Sequence, residues 1–195
     1  MDLKNLELAV GFWFEKEKKR GIIISLNNKI REVKGIEIGI LQNNNVSAHG
    51  ILAGMMNECY EFRGLQIGGL NVAEYKFGDQ IGITNVAERG TGSQIGITNT
   101  ILTGNIWQAG VMNLSGEGSM QFSALLNMSN SGNGAMQLGP INIIVKNPWY
   151  MKVLPLANYG VDMEKYRARR QINLEKEVQK LRQEKDNKGL VHARF

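Results

Sequence analysis

Apolar and small polar residues alternate along most of this chain in a unit that returns about every 14 residues. The unit is easiest to follow on a small residue flanked by apolar ones: Gly11, Ser25, Gly39, Gly54, Gly68, Gly82, Gly96, Gly110, Ala124, Gly139 and, degenerately, Pro155. An asparagine follows three residues later in most copies: Asn28, Asn57, Asn71, Asn85, Asn99, Asn113, Asn127, Asn142 and, one step looser, Asn158. Phe14 and Gln42 stand at the equivalent place in the first and third copies. A register held over eleven copies, from about residue 7 to residue 158, makes the repeat the body of the protein.

Within the clearest copies, such as Gly78 to Glu88, Ile81 and Ile83 lie two apart, and Gln80, Gly82 and Thr84 fall between and beside them. Period two is the signature of a strand, with one set of side chains on each face. The pattern predicts isoleucine inside and glutamine, glycine and threonine outside. Glycine, asparagine, serine and threonine around 88–92 and 103–105 supply the turns. The predicted fold class is all-β: a single β-solenoid of about eleven 14-residue repeats, with a rise of ~4.8 Å per rung and a length of roughly 50 Å. Equivalent asparagines would then stack and hydrogen-bond up a column. An antiparallel β-meander of the same repeats is the alternative, but it puts equivalent residues two strands apart and gives the recurring amide less to do.

The ends of the repeat differ from its middle. Phe12, Trp13 and Phe14 look suited to plugging the first rung, and Pro155 to an edge, where no ladder hydrogen bond is needed. Residues 1–160 form the predicted repeat domain, with 161–195 a charged helical tail. Leu174, Val178 and Leu181 are spaced as one narrow helical stripe, with Asp162 a predicted N-cap and Gly189 a predicted stop. The stripe makes the tail a candidate partner-docking element.

Composition narrows the function classes. The chain has 195 residues with 23 glycines and 3 prolines, unlike a compact α/β enzyme. Residues 1–34 carry eight basic and five acidic side chains, residues 35–160 five and seven, and residues 161–195 ten and six. The body is near neutral and the basicity sits at the ends, which argues against a nucleic-acid binder with a basic folded face. Cys59 is the single cysteine, in keeping with a reducing compartment. No apolar run is long enough to span a bilayer, and the first residues do not read as a signal peptide. A cytoplasmic location is expected, or the cell envelope or surface if a leader has been removed. Asn45, Asn113 and Asn127 begin glycosylation-type triplets, but two of them are repeat positions.

Residues for catalysis are sparse. His49 and His192 have no ligand-spaced partners, and Cys59, aligned with Ala73 and Ala87, reads as a small inward residue without an activating base. The run Arg89 to Gly96 has the glycines of a phosphate loop but neither its lysine nor a following helix. No catalytic, cofactor-binding or metal-binding residue is assigned, and no cofactor or small-molecule ligand is expected. Gln66, Gln80, Gln94, Gln108 and Gln137 form a predicted outward rank, with Thr84 and Thr98 beside it. That face is a candidate for binding an extended surface such as glycan, envelope or ice.

The unit at Gly64–Glu74 and Gly78–Glu88, and the approach through Val33 to Ile40, resemble the bacterial surface repeat-containing protein family. The resemblance implies tandem copies of a short unit, a bacterial origin and a cell-envelope or host-facing setting. It carries over no catalytic residue. The expected function is a non-enzymatic structural or protein–protein interaction module, with a protein partner or self-association.

Overall fold

The computed structural model describes residues 7–117, 119–130, 135–161 and 163–192. The elements are β1 (Glu7–Ser115), β2 (Met120–Ser129), β3 (Met136–Ile144), a single 3-10 turn (Trp149–Met151), β4 (Val153–Tyr159) and α1 (Met163–His192). The chain divides into two compact units, Met1–Gly160 and Val161–Phe195.

A stretch of 109 residues assigned to one strand would reach ~360 Å if straight. It is not straight, because residues 14 apart in it touch: Asn57 bonds to Asn71, and Gln80 to Gln66. The turns fall at glycines with positive φ, recurring at Gly21, Gly35, Gly50, Gly64, Gly78 and Gly92. A side chain at Gly78 would also collide with the Gly64 carbonyl oxygen one unit below. Glycine therefore serves there both for its backbone angle and for the close approach of stacked units. β1, β2 and β3 pair parallel, with Asn113 opposite Asn127 and Asn127 opposite Asn142. The fold is thus an all-β stack of repeats followed by a helix. An antiparallel meander does not describe these pairs.

Sidedness is the reverse of the period-two expectation. Gln66, Gln80, Gln94, Gln108 and Gln137 are completely buried, as are most of the asparagines. Ile81 and Ile83 are 40% and 59% exposed. The reason lies in hydrogen bonding. Each buried amide meets an identical amide one unit away and satisfies donor and acceptor together, so its burial carries little desolvation penalty. A column of glycines at Gly54, Gly68, Gly82, Gly96 and Gly110 makes room for the asparagines. A Cβ at Gly82 would lie 2.7 Å from Asn71 Nδ2 and would overlap the Gly68 carbonyl oxygen.

Several local expectations also shift. Asn43, not Gln42, occupies the asparagine column, because the stretch from Gly39 to Asn43 is one residue longer than in the other units. In the glycine column Ser123 replaces Ala124, because Gly110 pairs with Ser123 and the register slips just after it. Phe14 packs against the core, but Phe12 and Trp13 are 81% and 61% exposed and plug nothing. The Pro155 segment is no further parallel rung. β4 runs antiparallel to β3, and Asn158 bonds to the backbone of Asn142, Met151 and Lys152 in place of the amide column. The reversal through Trp149–Met151 covers the β3 edge. Helix α1 continues through Gly189 to His192, since one glycine costs a helix only ~1 kcal/mol; Asp162 lies outside the described residues.

Hydrocarbon packing is confined mainly to the early units, where Ile23, Ile30, Val33, Leu52 and Phe62 cluster. From Gln66 onward the same interior column holds glutamine. Substituting Gly82 by alanine is expected to destabilise the fold by about 3 kcal/mol or more, because the clash is with backbone. Ile81→Ala should cost less than ~1 kcal/mol, and urea unfolding of the two variants measures the contrast.

Candidate interaction surface

The interior and the surface are built by the same strands, so the amide ladders decide which side chains face out. The asparagine ladder climbs from Asn28 to Asn142 with Nδ2 of each residue donating to Oδ1 of the next at 2.7–2.9 Å. Ser25 Oγ closes its lower end on Asn28 Oδ1, and Asn142 Nδ2 closes the upper end on the carbonyls of Gly139 and Leu154. The glutamine ladder points the other way: Gln80 Nε2 donates down to Gln66, and so on up to Gln137. From Asn43 to Asn142 and from Gln80 to Gln137 the amide also donates to a backbone carbonyl, as from Asn85 to Ile95 and from Gln94 to Thr100. The two ladders carry opposed dipoles, and the stack avoids a large net field.

The predicted Gln rank is therefore interior and offers no amide to an external surface. Thr84 and Thr98 are half-buried on the outer side, where their column continues as Met56, Leu70, Met112, Leu126 and Ile141. Beside it run two more outward columns. One holds Ile67, Ile81 and Ile95, and the other Ile40, Met55, Ile83, Ile97, Val111 and Leu125, all substantially exposed. No charged residue occupies any of these three columns between Ile24 and Ile141. Trp107 stacks on Phe122 along the margin, with ring centroids 6.0 Å apart. An exposed apolar area this continuous is uncommon on a monomer, which makes this face the candidate contact surface.

The opposite side is charged and grooved. Its groove, about 560 Å³, is lined among others by Tyr60, Val72, Val86 and Leu102, with Glu74 and Glu88 stacked at one wall. Arg63 lies over the Phe77 ring and Arg89 over Tyr75. Near the first units, ion pairs join neighbouring rungs: Lys29 to Glu15, Arg31 to Glu17 and Lys18 to Glu32. Lys18 and Lys34 beside Glu32 hold its carboxyl below the usual carboxylate range.

Chemistry-bearing groups stay dispersed. Among the described residues no three His, Cys, Asp or Glu come together as metal ligands. Cys59 is buried and its thiol is pushed up to about 12 by burial, far from a nucleophilic thiolate. His49 is half-buried, and the His192 side chain lies outside the described residues. Asn45, Asn113 and Asn127 are buried, so none can accept a glycan in the folded state. On α1, Leu174 and Val178 are 52% and 47% exposed, and the side chain of Leu181 lies outside the described ones. No described helix is long and apolar enough to cross a membrane. Comparison with protein-family models, with curated proteins and with solved structures returns no match.

Two buried ionisable groups escaped the sequence pattern because each sits in an interior column as a single exception. Lys76 is enclosed with its Nζ donating to the Thr91 carbonyl at 3.1 Å, and burial pulls its pKa down to about 8. Glu37 accepts from Asn45 Nδ2 at 3.0 Å, while Glu37 Oε1 and Asn45 Oδ1 are buried acceptors without partners. Burial raises the Glu37 pKa from 4.5 to about 7. A proton on Oε1 converts one of two orphan acceptors into a donor.

The folded protein thus holds a proton on Glu37 that the unfolded chain has released, from about pH 4.5 to 7. Stability is lost as pH rises through that window, on the order of 2–3 kcal/mol by pH 8. Glu37→Gln should flatten the profile and raise stability at pH 7.5 but not at pH 4.5. Urea midpoints between pH 4.5 and 7.5 check this below the range where Lys76 titrates, and a wild-type profile flat across it contradicts the assignment.

Proposed function

We propose that this protein is a β-solenoid scaffold acting as a non-enzymatic protein–protein interaction module, with its charge-free outer face as the main docking surface. Parallel pairing at an offset of 13 to 14 residues, paired amide columns and a positive-φ glycine recurring once per unit from Gly21 to Gly92 support the solenoid reading. The observation that supports the interaction reading is the three adjacent outward columns from Ile24 to Ile141 without a charged side chain. A surface that only had to stay solvated would intersperse charges, as the grooved side of the same strands does. Binding of glycan or ice through the Gln face loses its basis, because the amides that would do the binding are spent on one another.

The tail gives a second reading of where a partner docks. Ile172, Leu174 and Val178 are half-exposed on a helix otherwise rich in charge, which suits a short apolar contact. The resemblance to surface repeat-containing proteins suits either element and adds a bacterial envelope setting to the proposal.

The two readings separate by substitution. Ile83→Glu with Ile97→Glu places two charges at the centre of the face, one rung apart. Native Glu74 and Glu88 already occupy adjacent units in one column, so the fold tolerates such a pair. The double variant should lose at least tenfold in affinity for any protein, including itself, that the wild type binds. Removing 161–195 should leave that binding unchanged. Loss on truncation with retention in the double variant transfers the docking role to the helix.

A further inference from the structure

We infer that the apolar face is covered by the same face of a second copy of this chain, the two packing sheet on sheet as a homodimer. The inference rests on the docking reading above and names its partner. It starts from area. The charge-free columns span nine units from Ile24 to Ile141, about 40 Å at ~4.8 Å per rung, and they occupy four consecutive strand positions, as from Ile81 to Thr84, about 14 Å across. Each copy would bury roughly 550 Å², and the pair about 1,100 Å², above the ~1,000 Å² that a specific interface clears.

Chemistry then selects the partner. A face with no charge and almost no unsatisfied donor needs an opposing face with the same properties, or the partner's polar groups would be desolvated without compensation. The surface known to have those properties is this one. It is also self-matching in shape. Ile67, Ile81 and Ile95 form one ridge, and Ile83 and Ile97 another that is interrupted by Gly69. Two such ridged faces interdigitate when stacked at ~10 Å, as the inner faces of β-sandwiches do. A two-fold axis puts each ridge of one copy in the furrow of the other, which gives a closed dimer and no open filament.

Lipid is the competing apolar partner, and charge argues against it. Residues 35–160, which carry nearly all of the face, hold five basic and seven acidic side chains. An anionic bilayer therefore gains no electrostatic attraction from the body. The basic residues lie in 1–34 and 161–195.

Sedimentation velocity on the full chain between about 1 and 50 μM tests the inference, with far-UV circular dichroism as the folding control. Wild type should sediment as a dimer in the upper part of that range. Ile83→Glu with Ile97→Glu should sediment as a monomer with an unchanged spectrum, its dimer constant weakened at least tenfold. If that variant unfolds, the neutral pair Ile81→Gln with Ile95→Gln takes its place and should weaken the dimer in the same direction. A wild type monomeric at 50 μM, or a dimer untouched by either pair, overturns the inference. A monomeric wild type that still loses another protein partner on substitution refutes the homodimer and leaves the docking face standing. Wild-type binding to phosphatidylcholine vesicles, lost in the variant, would overturn both.

Discussion

Everything in this fold depends on one interaction, the side-chain amide that bonds to its own copy one unit away. An asparagine or glutamine in a buried site is ordinarily a liability, because it has two donors and an acceptor to satisfy. In an in-register stack that requirement is met by repetition: each Asn85 finds an Asn71 below and an Asn99 above. The spare hydrogen reaches a backbone carbonyl. The repeat length follows from this, since any unit whose length let the amide drift out of register would leave orphaned groups on both sides. Where a unit gains a residue, as between Gly39 and Asn43, the extra length is taken up outside the column, and Asn43 keeps its place.

Once the amides own the interior, the other features fall into line. The glycine column exists because asparagine side chains lie across it. The apolar residues are displaced outward because strands this close leave no interior room for two sets of side chains. Hydrocarbon does what it does in most proteins mainly in the first units, where Ile23, Leu52 and Phe62 fill the interior, and in a smaller cluster of Ala87, Ile101 and Ile106. The glutamine ladder therefore begins inside the molecule, at Gln66, whose Nε2 is buried without a partner. That orphan marks the boundary between the two kinds of core.

The period, the asparagine column, the turns and the C-terminal helix were legible in the sequence; the sidedness was not. Period-two alternation says that two faces differ but not which is inside, and the usual rule, apolar inward, picks the wrong one here. A signal was present in how each column varies within the chain. Glutamine holds one column at Gln66, Gln80, Gln94, Gln108, Gln121 and Gln137, while the isoleucine column beside it accepts Met55, Gly69, Val111 and Leu125. A position that accepts glycine, methionine and leucine in turn is not packing against anything fixed. Glu37 and Lys76 were missed for the opposite reason: Glu37 is a lone charge in the column that holds Ile23, Leu52 and the glutamines, Lys76 one in a column of apolar and small residues, and only three-dimensional burial reveals them.

The central claim is that the amides are structural and the outward isoleucines are not. Comparing Gln94→Ile with Ile95→Gln by equilibrium urea unfolding tests it most directly, because the two variants make inverse exchanges at adjacent positions. The account predicts that Gln94→Ile loses about 3 kcal/mol or more, since the Gln80 acceptor and the Gln108 donor lose their partners. Ile95→Gln should stay within ~1 kcal/mol of wild type. The opposite order, with Ile95→Gln the more damaging, would contradict the account.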